Sequence, residues 1–173
     1  MSLDINELVE LDRLNMAPII EQADGRFDPE FRRSKMLLEQ EKGAEFIVIG
    51  RGGVIVAYLE YLQEFDGILS VLPIQIHPSH QNGFVLRDLL GEAGRRLPAR
   101  VPVDIRSSVH ATNRTSLSLH VRLGFVETGK SADRILFRTD SARLSDRLNR
   151  FHRKKVIASD PQDKDGSVKP RRV

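Results

Sequence analysis

The chain contains no cysteine and no tryptophan, and it has only two tyrosines among 173 residues. The absence of cysteine excludes disulfide bonds, thiolate nucleophiles and cysteine-ligated metal sites, so any chemistry must use histidines, carboxylates, hydroxyls or a bound cosubstrate. No stretch reaches the roughly 18 uncharged apolar residues that a membrane span requires. The N-terminus is acidic (Asp4, Glu7, Glu10, Asp12), unlike a secretory signal peptide. The sequence therefore predicts a cytoplasmic protein with no membrane partner.

Length and charge indicate one soluble domain with a basic extension. Hydrophobic residues make up 40% and charged residues 29%, which suffices for a buried core. The net charge of +3 is unevenly placed. Residues 141–173 carry ten lysines or arginines against four aspartates, a net +6, and the remaining 17 cationic and 20 anionic residues give −3. The basic character therefore belongs to the C-terminal segment, and nucleic-acid binding by the body is not implied.

The C-terminal segment divides into two parts. Leu144, Leu148 and Phe151 recur at helical spacing among arginines and lysines, which predicts a basic amphipathic helix over 141–157. Residues 158–173 are polar with two prolines and a glycine, which predicts a disordered tail. The predicted organisation is a domain over 1–140 followed by this helix and tail. The apolar stripe packs either on the body or on a second copy in a homodimer, whereas its charges leave nucleic-acid binding open as an alternative.

The first forty residues show helical periodicity. Residues 3–22 repeat apolar positions with a period near 3.6 that is interrupted at Pro18, which predicts one helix and then a second short one. A further helix is predicted to end at Gly43. The residues expected on its inner face are Phe31, Met36, Leu37 and Leu38.

The middle of the chain predicts strands that alternate with helices. Residues 45–50 and 54–63 are β-branched and aromatic runs around Gly52 and Gly53, typical of a hairpin. A third strand follows over 68–78, where Pro73 indicates a bulge or an edge. The later elements are a helix over 83–97, a strand over 103–109, a helix from Asn113 to Gly124 and a strand over 132–140. This order predicts a mixed, mainly antiparallel sheet flanked by helices, in the α/β (α+β) class.

The segment VHATNRTSLSLHVRLGF, followed by Glu127 and Gly129, resembles the GNAT (GCN5-related) N-acyltransferase family. The match covers a strand, an asparagine, a helix and a closing Leu-Gly-Phe before a hairpin strand. The resemblance extends over roughly residues 45–140 and implies a GNAT-like acyl-CoA N-acyltransferase fold. It also implies acetyl-CoA, or another acyl-CoA, as cosubstrate, with Asn113 beside its pantetheine.

The segment PIQIHPSHQNGFVLRDLL resembles the strand and diphosphate-binding loop of the same family. A helix N-terminus presents unpaired backbone N–H groups and partial positive charge, so it holds phosphate well. Phe84 and Leu86 occupy the positions of the family's two glycines, and Gly83 lies one place earlier. The residues that the resemblance assigns to the cofactor are Ile74, Gln75, Ile76, Gln81, Asn82, Gly83, Phe84, Val85, Leu86, Arg87 and Asn113. The alternative is an ordinary helix-opening turn without a ligand.

The family's reaction needs a base for the attacking amine and an acid for the leaving thiolate. His120 occupies the place of the family's tyrosine acid, and an imidazole is chemically suited to that task. The candidate bases are Glu60, on the second strand of the hairpin, and His77, at the end of the third strand. No metal site is expected, because His77 and His80 flank Pro78 without helical spacing or a nearby third ligand.

These observations predict an N-acetyltransferase that transfers an acyl group, most simply acetyl, from acyl-CoA to a primary amine of a small molecule, peptide or protein. One alternative is a catalytically degenerate binding or regulatory module with the same fold, consistent with the replaced glycines and tyrosine. The other is a nucleic-acid-associated protein that uses the basic tail, which steep salt dependence of binding would reveal.

Overall fold

The computed structural model of the chain describes residues 3–64, 66–81, 83–96 and 103–148. The helices are α1 (Ile5–Glu21), α2 (Pro29–Glu41), α3 (Phe84–Arg96), α4 (Arg114–Arg122) and α5 (residues 141–148), with one 3₁₀ turn at Pro78–His80. The strands are β1 (Glu45–Arg51), β2 (Val54–Gln63), β3 (Leu69–Ile76), β4 (Asp104–His110), β5 (Val126–Ser131) and β6 (Arg134–Asp140).

The strands form one six-stranded sheet in the order β1-β2-β3-β4-β6-β5. All neighbouring strands are antiparallel except β3 and β4, which are parallel. The predicted mixed, mainly antiparallel sheet flanked by helices is therefore confirmed. Hydrophobic periodicity does not predict strand β5, because most of its residues are exposed and it lacks an apolar alternation.

The helices cover the two faces of the sheet unequally. On one face, α1 and α2 pack against β1 and β2 around Leu8, Met36 and Tyr58. The crossovers β3-α3-β4 and β4-α4-β5 both advance in the same direction, so right-handed connections place α3 and α4 on the opposite face. Helix α5 shares that face with α3, since Leu144, Leu148 and Leu90 belong to one apolar cluster.

The first helix differs from the prediction of two helices separated at Pro18. Asp4 caps α1, and the helix continues through Pro18 to Glu21, where the backbone N–H of Gln22 still donates to the Pro18 carbonyl (3.2 Å). Pro18 lies in the last turn, where its missing N–H removes one hydrogen bond near the helix end. Helix α1 as a whole packs against α2, β2 and β3.

The inner face of α2 also differs from the prediction. Only Met36 of the expected apolar residues is buried, while Phe31 is 69% exposed and Leu38 is 49% exposed. The inward position is taken by Arg32, one turn before Met36, whose guanidinium enters a buried group of charges. The C-terminal end is as predicted, since Gly43 follows the cap with φ +94°.

The C-terminal helix begins directly after β6. Leu144 and Leu148 of α5 are buried beside Leu90 and Phe125. Phe151, the remainder of the predicted helix over 149–157 and the predicted tail over 158–173 lie outside the described residues, so the division of the C-terminal segment stays a prediction. Within the part of the chain that the structure describes, no helix combines the length and apolarity needed to cross a bilayer.

Candidate functional site

The central feature of the site is a gap between two parallel strands. Strands β3 and β4 pair only where Leu69–Val71 meets Ile105–Ser107. Beyond this point β3 remains paired with β2, and β4 remains paired with β6. The backbone edge of residues 72–76 that faces β4 therefore has no strand partner among the described residues. We call the space between residues 72–76 and 108–110 the cleft.

A β-bulge accompanies the separation of the two strands. Leu72 and Pro73 on β3 lie opposite the single residue Glu60 on β2, as the shift in register between Leu59 and Tyr61 shows. A bulge bends its strand and increases the local twist, and proline is tolerated there because it has no N–H to donate. Of the bulge or edge predicted at Pro73, the bulge is confirmed. It coincides with the point where the pairing of β3 with β4 ends.

The loop after β3 is fastened to the first helix. The side-chain amide of Asn15 donates to the Ile76 carbonyl (3.1 Å), and the Gln81 amide donates to the same carbonyl (3.4 Å) and to the Asn15 side-chain oxygen (3.3 Å). Gly83 then adopts φ +82°, a conformation that favours glycine. These contacts place the N-terminus of α3 at the mouth of the cleft.

The predicted cofactor residues at this helix end present different groups. Phe84 is 61% exposed, and the Arg87 guanidinium lies over its ring at 5.1 Å. Val85 is buried against β2 and Leu86 is half-buried, so both can offer backbone N–H groups but little side chain. Asn82 lies outside the described residues.

Three predicted cofactor residues lie along β3 at the cleft. The side chains of Ile74 and Ile76 pack toward α3, whereas Gln75 is buried and pairs across the sheet with Tyr58. These residues therefore face the cleft with their backbone and not with their side chains.

Asn113 lies at the other side of the cleft. Its side-chain oxygen accepts a hydrogen bond from the Ser116 backbone N–H (3.0 Å), which caps α4 as predicted. Because β3 and β4 are parallel, their C-terminal ends share one edge of the sheet, and the N-termini of α3 and α4 flank the cleft there.

His120 is buried, with both ring nitrogens engaged. Nδ1 lies 2.8 Å from the Ser116 carbonyl, and Nε2 lies 2.9 Å from the Ser107 hydroxyl. Because a carbonyl only accepts, Nδ1 carries the proton, and neutral Nε2 accepts from Ser107. Burial lowers the pKa of His120, while the bond to Ser116 partly offsets this shift. The resting imidazole is therefore neutral and touches the site through Ser107.

Ser107 was not singled out from the sequence. It is the last residue of β4 that pairs with β3, opposite Val71, so its half-buried side chain lies at the inner end of the cleft. The sequence signal that could have identified Ser107 is its position in strand β4. Period-two alternation puts Ser107 between Ile105 and Val109 on the covered face, where a hydroxyl needs a partner.

Glu60 belongs to a buried ionic cluster of Asp12, Arg32, Glu39, Tyr58 and Glu60. Its side chain is fully buried, and one oxygen accepts from the Arg32 guanidinium (2.8 Å). Arg32 also pairs with Asp12 and with Glu39 (3.2 Å), and the Tyr58 hydroxyl donates to Asp12. The second carboxylate oxygen of Glu60 has no hydrogen-bond partner among the described residues. The ionic cluster joins α1 and α2 to β2.

The ionic cluster contains three carboxylates and one guanidinium. Burial raises the pKa of Glu60 to about 7, against the opposing effect of Arg32, and Glu39 raises it further. Burial likewise raises the pKa of the Tyr58 hydroxyl. Glu60 therefore exchanges a proton near neutral pH, but its burial keeps it from touching a substrate directly.

His77 lies at the end of β3, at the mouth of the cleft. Its Nδ1 accepts from the Ser79 backbone N–H (3.2 Å) and lies 2.8 Å from the Ser79 hydroxyl, which also contacts His80. The ring is half-buried. Over the described ranges no three potential metal ligands come together.

Known structures share this architecture. PaiA N-acetyltransferase from Thermoplasma acidophilum, solved with coenzyme A, aligns at a TM-score of 0.64 and 15% identity over 79% of this chain and 92% of that one. The ribosomal-protein-S18-alanine N-acetyltransferase of Escherichia coli aligns at a TM-score of 0.58 and 16% identity, over 82% of this chain and 92% of that one. A putative GNAT-family acetyltransferase from Desulfovibrio desulfuricans aligns at a TM-score of 0.58 and 19% identity, over 82% of this chain and 96% of that one. No family model and no curated protein matches the chain by sequence.

These likenesses agree with the mixed six-stranded sheet flanked by helices. The aligned share of this chain is 79–82%, and the sequence identity is only 15–19%. The chain has the fold of the GNAT acetyltransferases, in a divergent form.

Proposed function

We propose that the protein is an acyl-CoA-dependent N-acyltransferase that transfers an acetyl group, or a related acyl group, to a primary amine. The observation that carries this proposal is the unpaired edge of β3 beside the N-terminus of α3. An extended pantetheine arm contains amide groups that can pair with such an edge as an added strand would. The diphosphate of CoA would then meet the N–H groups of the first turn of α3.

The residues on either side of the cleft receive distinct roles in this proposal. The backbone of Ile74, Gln75 and Ile76 pairs with pantetheine, and Asn113 contacts it from the start of α4. Gly83 allows the loop to turn, and the backbone N–H groups of Val85 and Leu86 bind diphosphate. Gln81, Phe84 and Arg87 surround it. The CoA complex of the Thermoplasma acidophilum protein supports this cosubstrate.

The proton path follows from the Ser107–His120 hydrogen bond. As the amine attacks the thioester carbonyl, its proton passes to the Ser107 oxygen while the Ser107 hydroxyl proton moves to Nε2 of His120. The same route then returns a proton to the sulfur of the leaving thiolate. Nitrogen loses one proton and sulfur gains one. We propose this path as an alternative to direct donation by His120, because Nε2 of the ring already contacts the Ser107 hydroxyl.

Two other groups remain candidates for the first proton transfer. His77 lies at the mouth of the cleft and is half-buried, so it can meet an incoming ammonium group. Glu60 is enclosed in the ionic cluster and would act only through an intervening water. We propose that Glu60 mainly holds α2 in place against β2.

Calorimetric titration of the full chain with CoA and with acetyl-CoA tests the proposal. We expect both to bind with micromolar dissociation constants. Gly83→Ala should weaken binding roughly 5- to 30-fold, because an L-residue at positive φ costs about 1–2 kcal/mol, and a backbone shift that relieves this strain would displace the start of α3 from the ligand. Gly67→Ala is the matched control, since Gly67 has φ +80° and equally open surroundings but lies at the opposite end of β3.

Binding of neither compound by the full chain would contradict the proposed function. If both glycine variants lost the same affinity for CoA, the loss would come from backbone strain in the fold and not from a contact with the ligand. Gly83 would then not belong to the diphosphate site.

Replacing Ser107 tests the proton path. Ser107→Ala should lower kcat by about 10²-fold toward a responsive amine while leaving the dissociation constant of acetyl-CoA unchanged, because only the relay is lost. Ser116→Ala is the matched control, since it keeps the backbone carbonyl that holds Nδ1 of His120. Steady-state kinetics over pH 5–9 would measure this. A kcat equal to that of the parent would exclude the hydroxyl from the chemistry.

A further inference from the structure

A cavity of about 280 Å³ lies on the α3 side of the sheet. Its walls come from the second half of α3, from α5 and from strands β1 to β3. The lining is mostly aliphatic and aromatic, and includes Val71, Ile74, Leu90, Ala93, Phe125 and Leu144. A mostly apolar lining favours an apolar occupant over water.

One end of the cavity adjoins the cleft. Val71 is the last β3 residue that pairs with β4, and Ile74 lies on the unpaired stretch beyond it. Phe125 forms another wall at this end, and its ring lies 5.0 Å from the ring of His120. The cavity therefore begins where the Ser107–His120 pair reaches the cleft.

The cavity also has polar groups, on its β1 side and at the C-terminal end of α3. Glu45, Tyr61, Gln63 and Arg96 contribute them, and the Tyr61 hydroxyl donates to Glu45 (2.7 Å). The charged lining residues are Glu45 and the exposed Arg96. Tyr61 is the cross-strand neighbour of Val71, and the remaining lining is apolar, which suits a hydrocarbon chain.

We propose that this cavity binds the aliphatic chain of an acyl-CoA, so that the donor substrate carries an acyl group longer than acetyl. The inference rests on the proposed function, since it places the thioester at the inner end of the cleft. The chain then runs from the carbonyl past Val71 and along Leu90 and Ala93. A free fatty acid would present the same hydrocarbon chain to the same walls. The experiment therefore compares acyl-CoA with a free fatty acid.

Dissociation constants of the full chain for CoA and for acetyl-, butanoyl-, hexanoyl-, octanoyl- and dodecanoyl-CoA test the inference. We expect affinity to rise about fourfold for each added methylene until the cavity is full, because each buried methylene contributes about 0.8 kcal/mol. Free octanoate is titrated in parallel. Weak binding of octanoate together with a steep gain along the acyl-CoA series supports the proposal.

Filling the cavity tests its location. Ala93→Phe should reduce the ratio of the acetyl-CoA and octanoyl-CoA dissociation constants to near one, because the added ring occupies the space of the chain. If Ala93→Phe does not fold, Ala93→Val replaces it in the test. Ala93→Val should shorten the acyl chain of the acyl-CoA that binds most tightly. Ala23→Phe, at an exposed position after α1, is the matched control and should keep the parent ratio.

The possible outcomes distinguish failure of the acyl-chain site from failure of the proposed acyltransferase function. Binding of CoA and acetyl-CoA without any gain along the series overturns the acyl-chain site and leaves the acyltransferase proposal standing. Tight binding of free octanoate with a flat acyl-CoA series also overturns it. Failure of every CoA species to bind overturns the proposed function. A gain that Ala93→Phe does not reduce overturns the assignment to this cavity.

Discussion

The two faces of β2 are covered by different chemistry. Tyr58 and Glu60 point toward α1 and α2, where they join the ionic cluster. Ala57 and Leu59, which alternate with them along the strand, point toward α3 and pack against Val85, Leu89 and other aliphatic side chains. One strand thus supports a face held by directional charge pairs and a face held by buried apolar area.

This difference indicates how each helix is positioned. Apolar packing stabilises in proportion to the area removed from water, and it tolerates small shifts. A buried guanidinium shared among carboxylates constrains distance and direction, and it is costly when one partner is lost. Helix α2 is therefore fixed in one position relative to β2, whereas α3 depends on the volume of its side chains.

The largest expected effect is that of removing the cation. Arg32→Met leaves Asp12, Glu39 and Glu60 without their common partner, and we expect a loss of about 3–5 kcal/mol in the free energy of unfolding. Urea denaturation at pH 7 would measure it. Lys35→Met on the same helix is the matched control, because Lys35 is exposed and its contact with Glu39 is long (3.7 Å), so its expected effect is below about 1 kcal/mol. Equal losses in the two variants would contradict the proposed role of the ionic cluster.

A smaller effect, which depends on pH, is expected for Glu60. Its pKa in the folded protein is about 7, above its ordinary value of 4.5, so the folded state binds the proton more tightly than the unfolded state does. This contribution to stability is complete below about pH 4.5 and is lost as pH rises toward 7. Glu60→Gln removes the titration but keeps an acceptor for Arg32, so its Tm should exceed that of the parent above pH 7.

Thermal unfolding between pH 4.5 and 8 would measure this difference. Leu89→Ala, on the opposite face, should lower Tm at every pH by a similar amount, because it loses packing and no titrating group. Parallel profiles for Glu60→Gln and the parent would show that the carboxyl is already ionised in the folded protein.

Local signals in the sequence predicted most of the fold. The β-branched runs around Gly52 and Gly53 form the hairpin, Gly43 follows the end of α2, and Asn113 caps α4, since each depends on nearby residues alone. The family resemblance added the GNAT-like fold, which the solved structures share, and the expected location of the cofactor loop. Strand β5 was missed in the periodic pattern because its side chains are exposed on both faces.

The contacts of the candidate catalytic residues could not be predicted in the same way. The partners of Glu60 come from α1 and α2, far away in sequence, and a charged residue such as Arg32 gives no sign of burial in a helical pattern. His120 was identified by position, but its bond to Ser107 depends on how α4 lies over β4. Long-range packing determines both arrangements, whereas periodicity reports only which face a side chain occupies.

The bulge at Leu72 and Pro73 has a kinetic consequence. Because the extra residue on β3 stands where the pairing with β4 ends, no strand pairing among the described residues has to break before a ligand enters. Association with CoA should then proceed in one step, with an observed rate that rises linearly with ligand concentration and does not reach a plateau set by a slow opening. The affinity of the site would be governed by how slowly the ligand leaves.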